Sequence, residues 1–405
     1  MLTFILVYFS IYGGVHVYLF WKTQQAFYIQ GIGLFALVFF LILMILGPIL
    51  VLLMDRAGMI LPATLLSYVA YFWMGAVLWF LSLGLMKDIF NLLVRIASHF
   101  LPSAARFVIP ARPGFVAIAL IITAACVWGT IEASTIRVRR VTLTTPLLES
   151  DSRPLKVAQI SDLHLGLLVG RRKLTRVLDL LKENQPDILV STGDMVDGIA
   201  PHLNHLSELF AAFRPPLGKL AVTGNHEYYA GIDDSLKFHR ESGFTVLRGQ
   251  NIEVGAISIT GVDDPAGSRM NGTSMTAENA ILPQPGHRRF TILLKHRPII
   301  RKASRGRFDL QVSGHAHGGQ LFPFNYLVQL RYPMIAGLYP LGGGTALYTS
   351  RGTGTWGPPM RLSASPEITI FTIKPVDQQV SAAPGNCKAH GEANRIPGGY
   401  SPRCS

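Results

Sequence analysis

Five short clusters in the second half of the chain carry residues able to hold a metal ion. They are Asp162 with His164, Asp194, Asn225 with His226, His296, and His315 with His317. Each follows closely on a short apolar run: 155–160, 187–191, 220–223, 290–294 and 310–312. In open α/β sheets, binding groups collect beyond the carboxyl ends of strands. Five strand ends bearing Asp, Asn or His therefore imply one convergent pocket. Carboxylate, amide and imidazole without thiolate suit hard to borderline cations: Mn²⁺ first, with Fe, Zn²⁺ or Mg²⁺ as alternatives.

The elements that must position these residues can be read from periodicity. Residues 172–184 place Leu174, Val177, Leu178 and Leu181 on one helical face, and Pro186 follows. Residues 203–213 form a second helix. Strand and helix alternate up to residue 223, as when helices cover a largely parallel sheet. Beyond Phe244 the apolar runs are short and strand-like: 252–254, 257–260, 290–294, 310–312, 346–349 and 368–373. The expected fold is an α/β domain of four layers, two mixed β-sheets packed face to face and flanked by helices.

The blocks Asp162-x-His164, Gly193-Asp194, Gly224-Asn225-His226-Glu227, His296 and Gly314-His315-Ala316-His317 resemble the calcineurin-like metallophosphoesterase signature, all five in order. The resemblance covers about residues 153–375. Gly318-Gly319-Gln320 and Ser350-Arg351-Gly352-x-Gly354 resemble a bacterial subgroup in which a membrane segment precedes the domain. That subgroup includes enzymes acting on UDP-diacylglucosamine and other phosphodiesters.

The resemblance implies roles residue by residue. Asp162, His164 and His317 would hold one metal, and Asn225, His296 and His315 a second. Asp194 would bridge them, with a water or hydroxide as the other bridge. His226 would stay uncoordinated and protonate the leaving group, and Asp197 would orient it. Protein phosphatases of the superfamily carry an Arg directly after that second Asp; here the position is Gly198. Arg351 is the candidate for the phosphate contact that Gly198 cannot make, since a bidentate guanidinium suits that role; a structural salt bridge is the alternative. Glu227 is expected to support its turn, and His202, His205, His239 and His287 to be surface or loop residues.

Charge divides the chain near residue 140. Residues 1–140 hold 9 of the 37 Lys and Arg and 3 of the 24 Asp and Glu. They contain four apolar runs near the length that crosses a bilayer: 2–21, 32–54, 59–86 and 115–133. Asp88–Pro110 mixes Arg95, His99 and Arg106 with apolar residues, the pattern of an interfacial amphipathic helix. The expected organisation is a transmembrane helical domain at 1–140, a metallophosphoesterase domain at 141–375 and a disordered tail at 376–405. Cys387 and Cys404 lie in that tail, Cys126 lies in the fourth run, and no C-x-x-C occurs. Five basic residues on one side of the runs face four on the other, which leaves orientation open. Arg137, Arg139 and Arg140 against the last run favour a catalytic domain on the cytoplasmic side of the cell inner membrane.

The second half carries 28 basic and 21 acidic residues, with Arg171, Arg172 and Lys173 after the first block and Arg297, Arg301, Lys302, Arg305 and Arg307 after His296. Such a rim draws an anionic substrate or lipid surface, or is a solvated face. Residues 321–341 are unusually apolar for a loop beside a metal site. They would admit an acyl chain, or form a small core under the site. Nothing looks like a base-stacking module, so nucleic acid is not expected. The leading reading is a membrane-bound two-metal hydrolase of a phosphodiester or pyrophosphate, with lipid-linked substrates first to try and a nucleotide phosphodiester as an alternative. The competing reading is a non-catalytic metal-binding or sensing membrane protein of the same fold.

Overall fold

The structure, a computed structural model, describes residues 6–198, 203–272 and 276–376. His202 and the tail with Cys387 and Cys404 lie outside them. Residues 6–27 are helical, with a π-helical turn at Phe9–Gly13 followed by α1 (Gly14–Phe27). Then come α2 (Gly31–Arg56), α3 (Ile60–Phe100) and α4 (Ala111–Ser134). Among the described residues, α2, α3 and α4 are long and apolar enough to cross a membrane. Most of their large apolar side chains face outward, Ile32, Phe35, Leu61 and Leu120 among them. Outward apolar faces are what a bilayer, not water, solvates.

One expectation is corrected here. Residues 88–100 are not a separate interfacial helix; they continue α3, which runs unbroken for 41 residues. Nothing between Leu85 and Phe100 breaks a helix, since the stretch holds no Pro or Gly. A short 3₁₀ turn, Pro102–Phe107, then leads towards α4.

The second half opens with a strand that the sequence reading missed, β1 (Arg137–Thr145). Arg137, Arg139 and Arg140 are therefore part of a sheet edge as well as membrane-flanking charge. One six-stranded sheet has the order β1, β12 (Glu367–Pro375), β2 (Leu155–Ile160), β3 (Ile188–Ser191), β4 (Lys219–Ala221), β5 (Thr245–Val246). Strands β2 to β5 are parallel, and β12 is antiparallel to β2. The other sheet has the order β10 (Gly337–Gly342), β11 (Thr345–Thr349), β9 (Leu310–Ser313), β8 (Phe290–Leu294), β7 (Ile257–Gly261), β6 (Gln250–Val254), with the short helices α9 (Ala266–Asn271) and α10 (Glu278–Ile281) between β7 and β8.

Alternation along each strand builds the layers. Leu155 and Val157 of β2 point to the core between the sheets, with Ile188, Val190, Ile257, Ile292 and Val312. Ala158 and Ile160 point the other way, to a core closed by Leu174, Val177 and Leu181 of α5 (Arg171–Asn184) and Phe210 of α6 (Asn204–Ala212). Both faces of β2 are thus buried apart from Lys156, which is why apolar residues occupy both of its faces. Inside the sheet core, the Gln159 amide donates to Thr192 Oγ1 and to the Ser313 carbonyl, tying the two sheets together just below the clusters.

The helical half is packed against the sheet half and not merely tethered to it. A Cβ at Gly75 of α3 would meet the Met360 side chain, and one at Gly129 of α4 would lie 3.2 Å from the Arg361 carbonyl. Trp79 Nε1 donates to the Phe322 carbonyl at 2.7 Å. Glu132 accepts from the Ser363 and Ala364 amides and from Ser365 Oγ. Hydrogen bonds to a charged acceptor contribute about 1.5–3 kcal/mol when buried and less when half-exposed as here. Glu132→Ala is therefore expected to loosen this seam by about 1–3 kcal/mol, raising protease cleavage near residues 135–136 in the detergent-solubilised full chain. Cleavage at the parent rate would show that the seam is held elsewhere.

Candidate metal centre

All five clusters meet at one place. Asp162 and His164 follow β2, Asp194 follows β3, and Asn225 opens α7 (Asn225–Tyr229) after β4. His296 follows β8, and His315 and His317 follow β9. Two sets of donors result. In the first, His164 Nε2 is 3.1 Å from His317 Nε2, which is 3.5 Å from Asp162 Oδ1. In the second, His296 Nε2 is 3.0 Å from His315 Nδ1 and 3.3 Å from Asn225 Oδ1. Asp194 Oδ2 belongs to both, 3.9 Å from His164 Nε2 and 3.2 Å from His296 Nε2.

The backbone is bent to make this convergence. Among the described residues nine non-glycine residues have positive φ, and five of them are Asp162, His164, Asp194, His315 and His317. Left-handed backbone costs about 1–3 kcal/mol at such a residue and persists only where surroundings enforce it. The enforcing contacts are visible. The Glu227 carboxylate, fully buried, accepts the backbone N–H groups of Asp194, Met195 and Gly224 at 2.7–3.0 Å. Asp162 accepts the His315 amide and the Ser161 hydroxyl. Asp194 Oδ1 accepts the His226 amide at 2.8 Å. Gly224 cannot be anything larger, because a Cβ there would overlap the Asp194 carboxylate.

Charge in the pocket favours cations. Burial pushes the His164 imidazole down to about 4 and His315 down to about 2, and burial with the Arg361 charge keeps His317 neutral as well. Uncharged imidazole is the form in which histidine binds a metal. His296 goes the other way: burial opposes its charge, but Asp194, Asp162 and Asp264 hold it up at about 10. Its Nδ1 is occupied by the Thr192 carbonyl at 2.8 Å, so the proton that Asp194 attracts sits on the nitrogen facing the cluster. A divalent cation there would take the place of that proton. The donor types, the shared carboxylate and this negative field all fit a pair of divalent ions.

His226 stands apart from the two sets. Its Nδ1 lies 3.0 Å from Asp197 Oδ1, and Asp197 is held below the usual carboxylate range, burial notwithstanding, by that hydrogen bond and by the charge of His226. Against burial, Asp194 and Asp197 hold His226 at about 9, in its acid form at neutral pH. Its ring contacts two half-exposed aromatics, Tyr229 and Trp356, at centroid distances of 5.2 and 5.6 Å.

Arg351 sits beside Gly318, one residue past His317, but its Nη1 is bound to the buried Glu367 carboxylate at 2.8 Å. Gly198 has a physical reason. Its φ is +84°, and the Asp55 carboxylate of α2 would lie 2.9 Å from a Cβ there. A side chain at 198 would be strained by that φ and would crowd the Asp55 carboxylate. Glu227 supports its turn as expected. His239 does not lie on the surface: it is fully buried in α8 (Ile232–Glu241), 4.0 Å from Glu227. Its helical register with Ser235 and Phe238 carried the signal.

Sequence reasoning missed two residues. Arg361 is fully buried and donates to the carbonyls of Gly354, His317, Arg351 and Ala364, with Nη2 3.0 Å from His317 Nδ1. Tyr332 places its hydroxyl 3.0 Å from His315 Nε2. Neither belongs to a motif, so only the folded chain shows them.

Residues 155–319 match the family model described as calcineurin-like phosphoesterase. An uncharacterized metallophosphoesterase of Aquifex aeolicus is 40% identical over 246 residues, 60% of this chain and 94% of that protein. One from Campylobacter jejuni is 35% identical over 239 residues, 58% of this chain and 63% of the relative. A transmembrane protein with metallophosphoesterase domain from Danio rerio is 34% identical over 274 residues, 64% of this chain and 62% of the relative. The chain thus spans less than two thirds of the length of the latter two. The motifs, the two mixed sheets and these matches together make it a member of the calcineurin-like metallophosphoesterase family.

Proposed function

We propose that this chain is a membrane-bound hydrolase of phosphodiester or pyrophosphate bonds, using two divalent ions, Mn²⁺ first among them. The observation that carries the reading is the shared Asp194 carboxylate between two donor sets, with the His226–Asp197 pair beside it. On this reading Asp162, His164 and His317 hold one ion, Asn225, His296 and His315 the other, and Asp194 both. Bound there, the two cations supply an acidified water and neutralise charge on the phosphoryl oxygens.

The protein's own residues do the rest. His226, in its acid form, protonates the oxygen that leaves phosphorus as the attacking water bonds to it. Asp197 fixes the ring and offsets its charge before transfer. Arg351, oriented by Glu367, is the proposed phosphate contact. We further propose a multi-pass protein of the cell inner membrane with its catalytic half cytoplasmic, acting on a lipid-linked phosphodiester. The three membrane-capable helices, the seam and the name of the Danio rerio relative support the membrane placement. Arg137, Arg139 and Arg140 beside the last helix favour the cytoplasmic side, and the apolar stretch 321–341 makes lipid the first substrate class to try.

Purified protein in detergent with Mn²⁺ should cleave bis(p-nitrophenyl) phosphate. Asp194→Ala should abolish turnover, and His226→Ala should lower kcat by about 10²–10⁴-fold. Undiminished rates in both variants would sink the reading, and stoichiometric metal without turnover would return the sensing alternative. A panel of UDP-diacylglucosamine, a phosphatidyl phosphodiester and a cyclic nucleotide tests the substrate class.

Two further variants separate roles. Arg351→Ala should raise KM and leave the melting temperature unchanged; a lowered melting temperature with KM unchanged would make Arg351 a structural partner of Glu367. Glu227→Gln should weaken Mn²⁺ binding by roughly 10–100-fold, read by calorimetry, because it loosens the loops that carry Asp194 and Asn225. Unchanged affinity would show that the loops hold without it.

A further inference from the structure

Helix α11 (Asn325–Arg331) carries an outward apolar stripe flanked by the exposed Gln329 and Arg331. Val328 packs inward against the small core of Ala316, Tyr332 and Ile335. The other side shows Tyr326, Leu327 and Leu330 at 59%, 61% and 83% exposure, within one 100° arc. A surface helix normally turns polar residues outward, and a contiguous outward apolar stripe marks contact with something other than water. Phe322, just before it, is also exposed and stacks edge-on with Tyr326 at 5.9 Å.

The neighbours identify the cover. Leu321 and Phe324 pack with Val77, Trp79 and Phe80 of α3, and Trp79 binds the Phe322 carbonyl. The ridge therefore continues sideways from the flank of a membrane-capable helix, and its outer face meets whatever medium bathes that flank. Arg331 at the end of the helix is exposed, a placement that suits anionic headgroups.

Both ends of α11 are fixed to the metal centre. At its start, the Asn325 backbone lies so close to Gly319, two residues past His317, that no Cβ fits there. At its end, Tyr332 bonds His315 Nε2. Trp356, beside His226, is held by the Gln320 side chain immediately before the ridge.

We infer that Phe322, Tyr326, Leu327 and Leu330 form a ridge that dips into the bilayer interface and sets the mouth of the metal centre at headgroup depth. A substrate anchored in that bilayer then reaches the centre without leaving the membrane. The inference rests on the membrane-bound reading, and it does not require turnover.

The test uses the full chain with Cys126, Cys387 and Cys404 replaced by Ser. Single cysteines are introduced as Leu327→Cys or Leu330→Cys, with Lys182→Cys on α5 as the water-facing control. Each is labelled with an environment-sensitive nitrobenzoxadiazole probe and reconstituted into phosphatidylcholine–phosphatidylglycerol vesicles. Blue-shifted emission quenched by doxyl-labelled lipid at 327 and 330, and neither effect at 182, is expected. Emission at 327 and 330 matching 182 would overturn the inference. So would a blue shift that doxyl lipid leaves unquenched, since a protein surface would then be the cover. Because the readout is not activity, a failed hydrolase reading and a failed ridge are told apart.

Discussion

Asp194 offers one carboxylate to two clusters of imidazoles. One oxygen, Oδ2, faces His164 and His296; the other, Oδ1, takes the amide of His226. That double use demands a backbone turned into the left-handed region, two neighbouring glycines at Gly193 and Gly224, and a buried Glu227 to hold three amides in place. Everything around the centre can be understood as what it takes to keep this carboxylate still. Without that support, a charged group sealed from water would be expensive. The buried negative charge is stable because cationic groups converge on it, and because two divalent ions would complete the arrangement.

The fold supplies this support through its two sheets. Strands β2, β3 and β4 end on one side of the pocket, and β8 and β9 on the other. Gln159 spans the gap between sheets, so the two halves of the donor set are held in register by the core beneath them. Helices α5, α6 and α8 add buried apolar surface to the outer core but no candidate ligand. His226 and His296 owe their acid forms to nearby carboxylates, whereas His164 and His315 are kept neutral by burial.

The helical half is more than an anchor. Asp55 closes the space at Gly198, Glu132 caps the loop at 363–365, and Trp79 grips the segment that leads from His317 into α11. Three separate helices thus touch loops that adjoin the centre. The apolar stretch 321–341 turns out to serve several purposes. Leu321 and Phe324 join the helical core, Tyr332 and Ile335 form a small core under His315, and Tyr326, Leu327 and Leu330 remain outside.

How much of this was legible in advance follows from how each signal is written. The candidate ligands were nameable because their chemistry is local: Asp-x-His, Gly-Asn-His-Glu and Gly-His-x-His place donor types at fixed offsets after apolar strands. The parallel strands were readable because burial on both faces leaves a continuous apolar run. Strand β1 was hidden by Arg137, Arg139 and Arg140, whose charge belongs equally to an exposed sheet edge and to a membrane flank. The continuity of α3 was hidden because a change of composition at Asp88 looks like a boundary, although no residue there breaks a helix. Arg361, Tyr332 and Asp55 could not be read at all. Each reaches its target across long sequence separation, and which side chain meets which loop is decided by packing, not by spacing. The sequence by itself determined which donor types are available; only the tertiary structure decided that they converge and that membrane-capable helices and an apolar ridge border them, because that depends on packing between distant segments.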